Sequence, residues 1–323
     1  MQTRDGWTRR DWLRVAGLGA AGVGLGGLSA VGQPARAQAT ERVSALYTLP
    51  IGDLELTIIQ EGTVMLQPAS FGLNAPAAAA ADLLMENNLP SDRIKVTINT
   101  ALLQTGDRIV LLDVGGGSLP FAAFDTDRLL PTLALLDISP DAITDVVISH
   151  FHPDHLGGLT DTSGAAVFPN AVHHISDAEY EFLTSTSGGS MRDVINIGLK
   201  ALQPAVDDGR LMTFASDAEI LPGLTAFPAP GHTPGHVAFS LASREEQLFA
   251  VSDVASHALL MLARPDWHVS FDVDLEQGVT TRQQILGMLA DEKRRVFGYH
   301  FPFPGIGYID RDGEGFRYLA AET

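Results

Sequence analysis

The sequence predicts an α/β (α+β) protein in which two mixed β-sheets pack face to face with helices outside. The first observation is a strand, a helix and a strand in succession, over residues 108–113, 125–136 and 143–148. This order is typical of a βαβ unit, so part of the sheet is expected to be parallel. The second observation is that the chain has two strand-rich halves with helical segments between them, and no repeat of about 20 to 50 residues.

The N-terminal half is predicted to consist mainly of strands. Residues 54–60 and 63–66 are apolar runs joined by Glu61 and Gly62, which predicts two strands and a turn. The Ala-rich stretch 75–85 is compatible with a helix or with a loop. A further strand is expected over residues 94–103.

The C-terminal half alternates strands and helices. Strands are predicted at residues 171–175, 211–214, 224–228, 237–241, 247–251 and 295–299, and helices at 177–183, 191–202 and 282–290. His173 and His174 fall in the first of these strands and are interpreted as structural or surface residues.

Composition limits the class of protein. The chain has 323 residues, 45% of them hydrophobic and 19% charged, which is enough for one large domain or two small ones. It has no cysteine, so disulfides and thiolate ligands are excluded. Any metal must be held by nitrogen and oxygen atoms.

The N-terminus resembles a bacterial twin-arginine signal peptide. Arg9 and Arg10 precede an apolar, Gly-rich run over residues 15–31, and Ala35-Arg36-Ala37 has the form of a cleavage site. A membrane anchor is the alternative, but the run is short and weakly hydrophobic for a spanning helix. We therefore predict a leader at residues 1–37, one folded domain at 38–323, a periplasmic or secreted location and no stable membrane insertion after processing.

The predicted mature chain is strongly acidic. Loss of the leader removes five arginines and two aspartates, which takes the net charge from -18 to -21. Such a surface repels nucleic acid and anionic lipid, and it favours neutral or cationic substrates.

A metal-binding pattern dominates the middle of the chain. His150, His152, Asp154 and His155 fall within six residues, directly after the predicted strand 143–148. Imidazole and carboxylate are common ligands of zinc and similar ions. A His-rich surface loop is the alternative, but this spacing is rare by chance. Pro153 and the following glycines predict a shaped turn and not a regular helix.

Three more metal-ligating residues occur where predicted strands end. His232 lies in the Gly/Pro-rich turn 230–236, Asp253 follows the strand 247–251, and His300 follows the strand 295–299. Each repeats the arrangement of the first loop, in which a strand gives way to a turn.

The full set of ligands, in this order, resembles the metallo-β-lactamase fold superfamily. The resemblance covers nearly all of the predicted mature chain and implies a four-layer αβ/βα sandwich. It assigns His150, His152 and His232 to one metal, and Asp154, His155 and His300 to a second, with Asp253 bridging. Residues 271–274 and 298–305 are similar to the methyl parathion hydrolase branch, whose relatives include lactone and aryl ester hydrolases.

The expected chemistry is hydrolysis by two divalent ions. Ions about 3.5 to 4 Å apart share a water, which becomes a hydroxide nucleophile near neutral pH. Zn²⁺ is the expected metal, with Mn²⁺, Co²⁺ or Fe²⁺ as alternatives. Asp253 should fix the separation of the ions, and Asp154 should orient the nucleophile. His236 and His257 are candidates for supporting or pocket positions.

Small neutral esters, lactones and phosphotriesters are the expected substrates, and a homodimer is the expected assembly. The family resemblance places an apolar pocket over the metals at Phe121, Phe124, Phe182, Leu183, Met191 and Ile195, for which ordinary core packing is the alternative. Acyl-homoserine lactonases of this superfamily commonly carry a tyrosine where this chain has Ser256. Acyl-homoserine lactonase, β-lactamase and glyoxalase II-like thioesterase activities stay open, as does a periplasmic protein that binds metal without turnover.

Overall fold

The computed structural model of the chain describes residues 45–119, 123–186 and 191–321. The predicted signal peptide at residues 1–37 lies outside these ranges and stays a prediction. Within them, no helix has the length and apolar character needed to cross a bilayer.

The elements of the described chain are fifteen strands and seven helices, besides short 3-10 turns. The strands are β1 (Leu46–Ile51), β2 (Leu54–Leu66), β3 (Ile94–Thr105), β4 (Arg108–Leu112), β5 (Phe124–Asp125), β6 (Asp145–Val147), β7 (Val172–Ser176), β8 (Leu211–Phe214), β9 (Glu219–Leu221), β10 (Leu224–Pro228), β11 (Val237–Ser243), β12 (Glu246–Ala250), β13 (Arg295–Phe297), β14 (Ile306–Asp312) and β15 (Gly315–Ala320). The helices are α1 (Ala79–Glu86), α2 (Leu129–Leu135), α3 (Pro153–Leu156), α4 (Asp177–Ser185), α5 (Arg192–Asp207), α6 (Leu260–Ala263) and α7 (Leu275–Glu292).

Two mixed sheets confirm the predicted fold class. The first sheet has the order β1-β2-β3-β4-β6-β7-β8, with β5 beside β2, and the second has the order β15-β14-β13-β12-β11-β10-β9. Strands β4, β6, β7 and β8 run parallel to one another, as the βαβ pattern predicts. In the second sheet β12 and β13 are parallel, and the other pairs are antiparallel.

The core is divided into three layers because side chains alternate along each strand. Ile58 and Val147 point between the two sheets, where they join apolar residues of the second sheet. Their neighbours Ile59 and Val146 point outward and pack against α2, α4 and α5. On the far side of the second sheet, α1, α6 and α7 cover a third cluster. These layers give the four-layer sandwich.

The predicted turn at Glu61 and Gly62 is wrong, because β2 runs through it as one strand with a bulge. The side chain of Glu61 is fully buried, and its Oε1 accepts a hydrogen bond from the Asp127 amide at 2.7 Å. A β-carbon at Gly62 would lie 2.6 Å from the Asp125 carbonyl oxygen. The close approach of β5 therefore explains both residues.

Two helix boundaries also differ from the prediction. Helix α2 begins at Leu129, four residues late, because Phe124 and Asp125 pair with β2. Helix α7 begins at Leu275, seven residues early, because the Asp274 side chain accepts a hydrogen bond from the Gln277 amide and caps the first turn.

The prediction that the metal-binding segment is a shaped turn and not a regular helix is wrong, because it contains a short helix. Helix α3 starts at Pro153, whose fixed φ and missing amide hydrogen suit the first position of a helix. Strands β1, β9, β14 and β15 were not predicted either, although β14 and β15 form the outer edge of the second sheet.

Candidate metal centre

The first ligands lie at the carboxyl end of β6. The strand ends at Val147, and the chain then places His150 and His152 in a loop and His155 in helix α3. All three imidazoles are buried, with exposed fractions of 0%, 5% and 0%. Burial of three adjacent polar rings is costly unless each finds a partner, so the segment is built for binding.

The remaining ligands come from the second sheet. His232 lies in the turn between β10 and β11, Asp253 follows β12, and His300 follows β13. Because β12 and β13 are parallel neighbours, their carboxyl ends bring Asp253 and His300 to the same edge. The site therefore forms where the two sheets meet.

Three imidazole nitrogens form the first group of ligands. His152 Nδ1 lies 3.0 Å from His150 Nε2 and 2.8 Å from His232 Nε2, and the latter two atoms are 3.2 Å apart. Two nitrogens bound to one tetrahedral zinc ion lie about 3.3 Å apart, since each Zn–N bond is about 2.0 to 2.1 Å. The three separations are slightly shorter than that spacing, so a small outward shift of the rings accommodates one ion.

The second group consists of Asp154, His155 and His300. His300 Nε2 is 3.5 Å and His155 Nε2 is 3.9 Å from Asp154 Oδ2. Asp253 reaches both groups: its Oδ1 lies 3.1 Å from His155 Nε2 and 3.3 Å from His300 Nε2, whereas its Oδ2 lies 3.3 Å from His232 Nε2. The structure thus brings all seven predicted ligands together, with Asp253 between the groups.

These residues fit two divalent ions. The buried atoms His155 Nε2 and Asp253 Oδ1 have no hydrogen-bond partner among the described residues, although they face each other. Such orphaned acceptors are expected where a cation is the missing partner. The donor set contains only nitrogen and oxygen, as zinc and neighbouring divalent metals accept.

Hydrogen bonds on the opposite ring nitrogens fix the orientation of three ligands. His155 Nδ1 lies 2.8 Å from the Asp113 carboxylate, and His232 Nδ1 lies 2.9 Å from that of Asp272. His300 Nδ1 donates to the Thr97 carbonyl at 2.8 Å. A carboxylate or carbonyl behind the imidazole selects the tautomer that leaves Nε2 free for metal.

Asp113 and Asp272 were missed as supporting residues. Asp113 follows β4 directly and Asp253 comes shortly after β12, so both are carboxylates at a strand end, and that signal was available in the sequence. Asp272 also accepts a hydrogen bond from the buried Arg282 at 2.8 Å. No sequence pattern links these two residues to His232, because the contact depends on the packing of α7.

Two further residues hold the ligand loops in place. His236, a predicted supporting residue, donates from Nδ1 to the Ala229 carbonyl and accepts at Nε2 from the Asp253 amide at 3.2 Å. Tyr299 stacks on His155 at 4.1 Å between ring centroids, and its hydroxyl donates to the Asp154 carbonyl. Both contacts tie a ligand to a neighbouring loop.

Glu179 joins the ligand loops of the two halves. Its Oε1 accepts from the Phe151 amide, and its Oε2 accepts from the Thr233 hydroxyl and the Gly235 amide, at 2.8, 2.8 and 2.9 Å. The side chain is fully buried, and burial raises the pKa of Glu179 to about 7 although these donors oppose the shift. Sequence reasoning did not find this residue.

Electrostatics differ between the two groups. Burial and the neighbouring imidazoles hold the pKa of His150 and His152 well below the ordinary value. Burial acts the same way on His155, but the carboxylates of Asp253 and Asp113 outweigh it and raise the pKa of His155. The pKa of Asp253 is lowered despite its burial, because three imidazoles surround it.

An apolar cavity opens over the metal-binding residues. Besides metal ligands, it is lined by Val64, Leu66, Val96, Ala123, Phe124, Ser256 and Phe271. Of the predicted pocket residues, Phe124 lines this cavity, and Phe121 lies outside the described residues. The other four belong to the core beneath the loop: Leu183 and Ile195 are buried, and Phe182 and Met191 pack partly buried against the same cluster. All four pack in or against the apolar cluster that contains Phe151, because the helix faces that carry Phe182, Leu183 and Ile195 turn toward it.

The chain belongs to the metallo-beta-lactamase superfamily. Residues 94–289 match the sequence profile of that family, and the fold and ligand set agree with it.

Several proteins similar to this chain are lactonases. The structure of AidC, a dizinc quorum-quenching lactonase, has a TM-score of 0.78 and 30% identity, with 87% of this chain and 99% of AidC covered. An N-acyl homoserine lactonase from Bacillus cereus is 23% identical over 230 residues, which cover 65% of this chain and 84% of that enzyme. The lactamase-like protein ptaB from Pestalotiopsis fici is 29% identical over 159 residues, and the match spans 49% of this chain but only 40% of that relative.

Proposed function

We propose that this protein is a dizinc hydrolase of neutral esters and lactones. The observation that carries the proposal is the convergence of seven nitrogen and oxygen ligands, five of which line an apolar cavity, with Asp253 shared between two groups of three. The 30% identity to a dizinc lactonase supports the choice of metal.

When bound, two divalent ions lower the pKa of a water held between them and polarise the carbonyl or phosphoryl oxygen of a substrate. The residues supply position and proton transfer. Asp253, whose side chain is 6% exposed, fixes the distance between the two ligand groups. Asp154 lines the cavity and is 16% exposed, so its carboxylate can take a proton from the attacking water and return it to the leaving group.

The cavity favours neutral substrates with good leaving groups. Among its described lining residues, Ser256 is the one polar side chain that is not a proposed metal ligand, and its hydroxyl lies 3.1 Å from Met261 Sδ. Apart from Asp154, a departing alkoxide therefore has no further acidic group in this lining to protonate it, whereas a phenolate leaves without such help. Aryl esters and aromatic lactones are the proposed substrates, and methyl parathion-type phosphotriesters are proposed as further substrates of the same site.

Acyl-homoserine lactonase activity is the second candidate. It is favoured by the similarity to AidC over nearly the whole of that protein. The residue at the position where such enzymes commonly carry tyrosine is Ser256, which speaks for a lower rate with these lactones.

The test is steady-state hydrolysis of phenyl acetate, dihydrocoumarin, N-hexanoyl-homoserine lactone and methyl parathion, each with zinc and with a chelator. We expect chelator-sensitive turnover with the highest kcat/KM for phenyl acetate or dihydrocoumarin. A lead by the homoserine lactone would favour the second candidate. Zinc-loaded protein that cleaves none of the four would refute both.

A matched pair of variants separates the two candidates further. Ser256→Tyr introduces a phenol, and Ser256→Phe introduces the same ring without it. We expect Tyr, but not Phe, to raise homoserine lactone turnover relative to phenyl acetate. Equal effects would mean that the hydroxyl plays no part.

Export through a twin-arginine route is also proposed, on the basis of Arg9 and Arg10. Fractionation of cells that express the wild type or Arg9→Lys/Arg10→Lys tests it. Periplasmic wild type and cytoplasmic variant are expected; equal distribution would contradict the proposal.

A further inference from the structure

A second, larger cavity adjoins the metal centre. It has a volume of about 320 Å³, which lies in the range of small-molecule pockets. It is bounded by the end of α1, the start of β3 and the loop after residue 256. Its apolar lining residues are Leu84, Leu89, Pro90, Ile94, Leu259 and Pro302.

The second cavity is distinct from the one over the metals. His300 is the only residue that the two described linings share. On β3, Val96 lines the first cavity, whereas Ile94, Lys95 and Thr97 line the second. An occupant of the second cavity therefore adjoins the metal site at His300 without filling the first cavity.

The mouth of this cavity is positively charged on an otherwise acidic protein. Arg93 and Lys95 line it and are both exposed, whereas the whole chain has a net charge of -18. Arg93 pairs with Asp92 at 3.0 Å. Lys95, one of three lysines in the sequence, has no carboxylate partner in the part of the chain that the structure describes.

The inner wall offers a hydrogen-bond donor. His257 Nδ1 accepts from the amides of Leu259 and Leu260, at 3.2 and 3.1 Å. The neutral ring therefore carries its proton on Nε2. His257 lines this second cavity, and not the first as its place in the sequence suggested.

We propose that the second cavity binds an apolar carboxylate, a molecule with one hydrocarbon chain and one terminal carboxylate. The apolar walls remove the chain from water, and Lys95, whose charge no carboxylate of the described residues neutralises, attracts the carboxylate at the mouth. The site rests on observations independent of the hydrolase activity. Its occupant would adjoin His300, which both described linings include.

The test is titration calorimetry of the zinc-loaded protein with octanoate, which has both features, and with octanol and acetate, which have one each. We expect octanoate to bind at least about tenfold more tightly than either. Lys95→Gln should weaken octanoate by about twofold to fivefold, the value of an exposed ion pair, without changing octanol. Leu89→Trp, at a 42% exposed position at the mouth, should block both.

Lys200→Gln is the matched control, because Lys200 is an exposed lysine on α5 outside the cavity. An equal loss of octanoate affinity in Lys95→Gln and Lys200→Gln would show that only the net charge of the protein matters, and it would overturn the proposal. Octanoate binding that survives Leu89→Trp but disappears with a chelator would show that octanoate binds the metals and not the second cavity. That result would also overturn the proposal. A change in oligomeric state in Leu89→Trp, without octanoate binding in the wild type, would show that a second copy covers this face.

Binding and turnover fail separately. Octanoate binding by a protein that hydrolyses no ester would leave this inference standing and remove the hydrolase proposal. Ester turnover without octanoate binding would support the hydrolase proposal and remove the proposal for the second cavity.

Discussion

The two ligand groups of the metal centre have unequal surroundings. The group of His150, His152 and His232 contains three imidazoles and is backed by Asp272, which in turn holds the buried Arg282. The second group contains a carboxylate of its own, Asp154, and is backed by Asp113 and by a main-chain carbonyl. Oxygen ligands suit manganese and iron better than imidazoles alone do. The second position should therefore tolerate metal exchange more readily than the first.

Removal of the Asp253 carboxylate should impair metal binding by both ligand groups. Asp253→Ala takes one ligand from each, so we expect loss of at least one bound zinc and a fall in kcat/KM of about 10³-fold or more. Zinc content by mass spectrometry and ester hydrolysis measure both. Two retained zinc ions with full activity would mean that Asp253 does not join the groups.

The backing carboxylates should differ in their effect on stability. Both Asp272→Asn and Asp113→Asn are expected to weaken metal binding by about 10-fold to 100-fold. Asp272→Asn also leaves Arg282 as an unpaired buried cation, which costs about 3 to 5 kcal/mol in the free energy of unfolding. Chelator competition gives the affinities, and urea unfolding gives the stabilities.

A double variant serves as the control for Asp272. Asp272→Asn with Arg282→Met removes the buried cation together with its partner, so stability should recover while metal affinity stays low. Equal stability of the two single variants would show that Arg282 is satisfied by its three backbone carbonyl partners.

Glu179 tests whether the two halves depend on each other. In Glu179→Gln the side-chain amide must face an N–H group of Phe151 or Gly235, so one buried hydrogen bond is lost at a cost of about 1 to 3 kcal/mol. We expect zinc affinity to fall by about 10-fold, as for supporting residues in general. Thr233→Val removes one donor and leaves the other two, and should have the smaller effect on affinity. A larger loss of zinc affinity in Thr233→Val than in Glu179→Gln would contradict the role of Glu179 in joining the two ligand loops.

His173, which lies outside the metal centre, should make the free energy of unfolding depend on pH. This contribution must be subtracted before the effect of protonating the two ligand groups is compared. Burial lowers the pKa of His173 to about 4. Below pH 6.5 the unfolded chain takes up a proton that the folded chain refuses, so stability falls as pH drops toward 4. At pH 5.5 this amounts to about 1.4 kcal/mol. His173→Leu should lose that part of the pH dependence in urea unfolding between pH 7.5 and 5.5; an unchanged slope would contradict it.

The ligands were predictable because their signals are local in the sequence. His150, His152, Asp154 and His155 fall in one short motif, and Asp253 and His300 each follow an apolar strand. The fold class was predictable for the same reason, since the succession of strand, helix and strand over residues 108–148 and the two strand-rich halves are visible in the sequence. The helix at Pro153 was missed because proline was interpreted as a breaker, although it also suits a first helical position.

The residues that were missed depend on contacts between distant segments. Glu179 acts on residues 28 and 56 positions away, and its own neighbourhood reads as an ordinary amphipathic helix. Leu183 and Ile195 were predicted in the pocket because their segments follow the metal loop. The rotation of α4 and α5 about their axes decides which face meets the core, and a single sequence leaves that rotation uncertain.

The seam between the sheets has a consequence for the assembly of the protein. His150, His152 and His155 come from the first sheet, and His232, Asp253 and His300 from the second. Neither sheet alone carries a complete coordination sphere, so tight metal capture reports that both halves have docked. In a living cell, tight zinc binding would thus report that the fold is complete. A chain cut in the loop after α5 would bind the ion tightly only after its two pieces have associated.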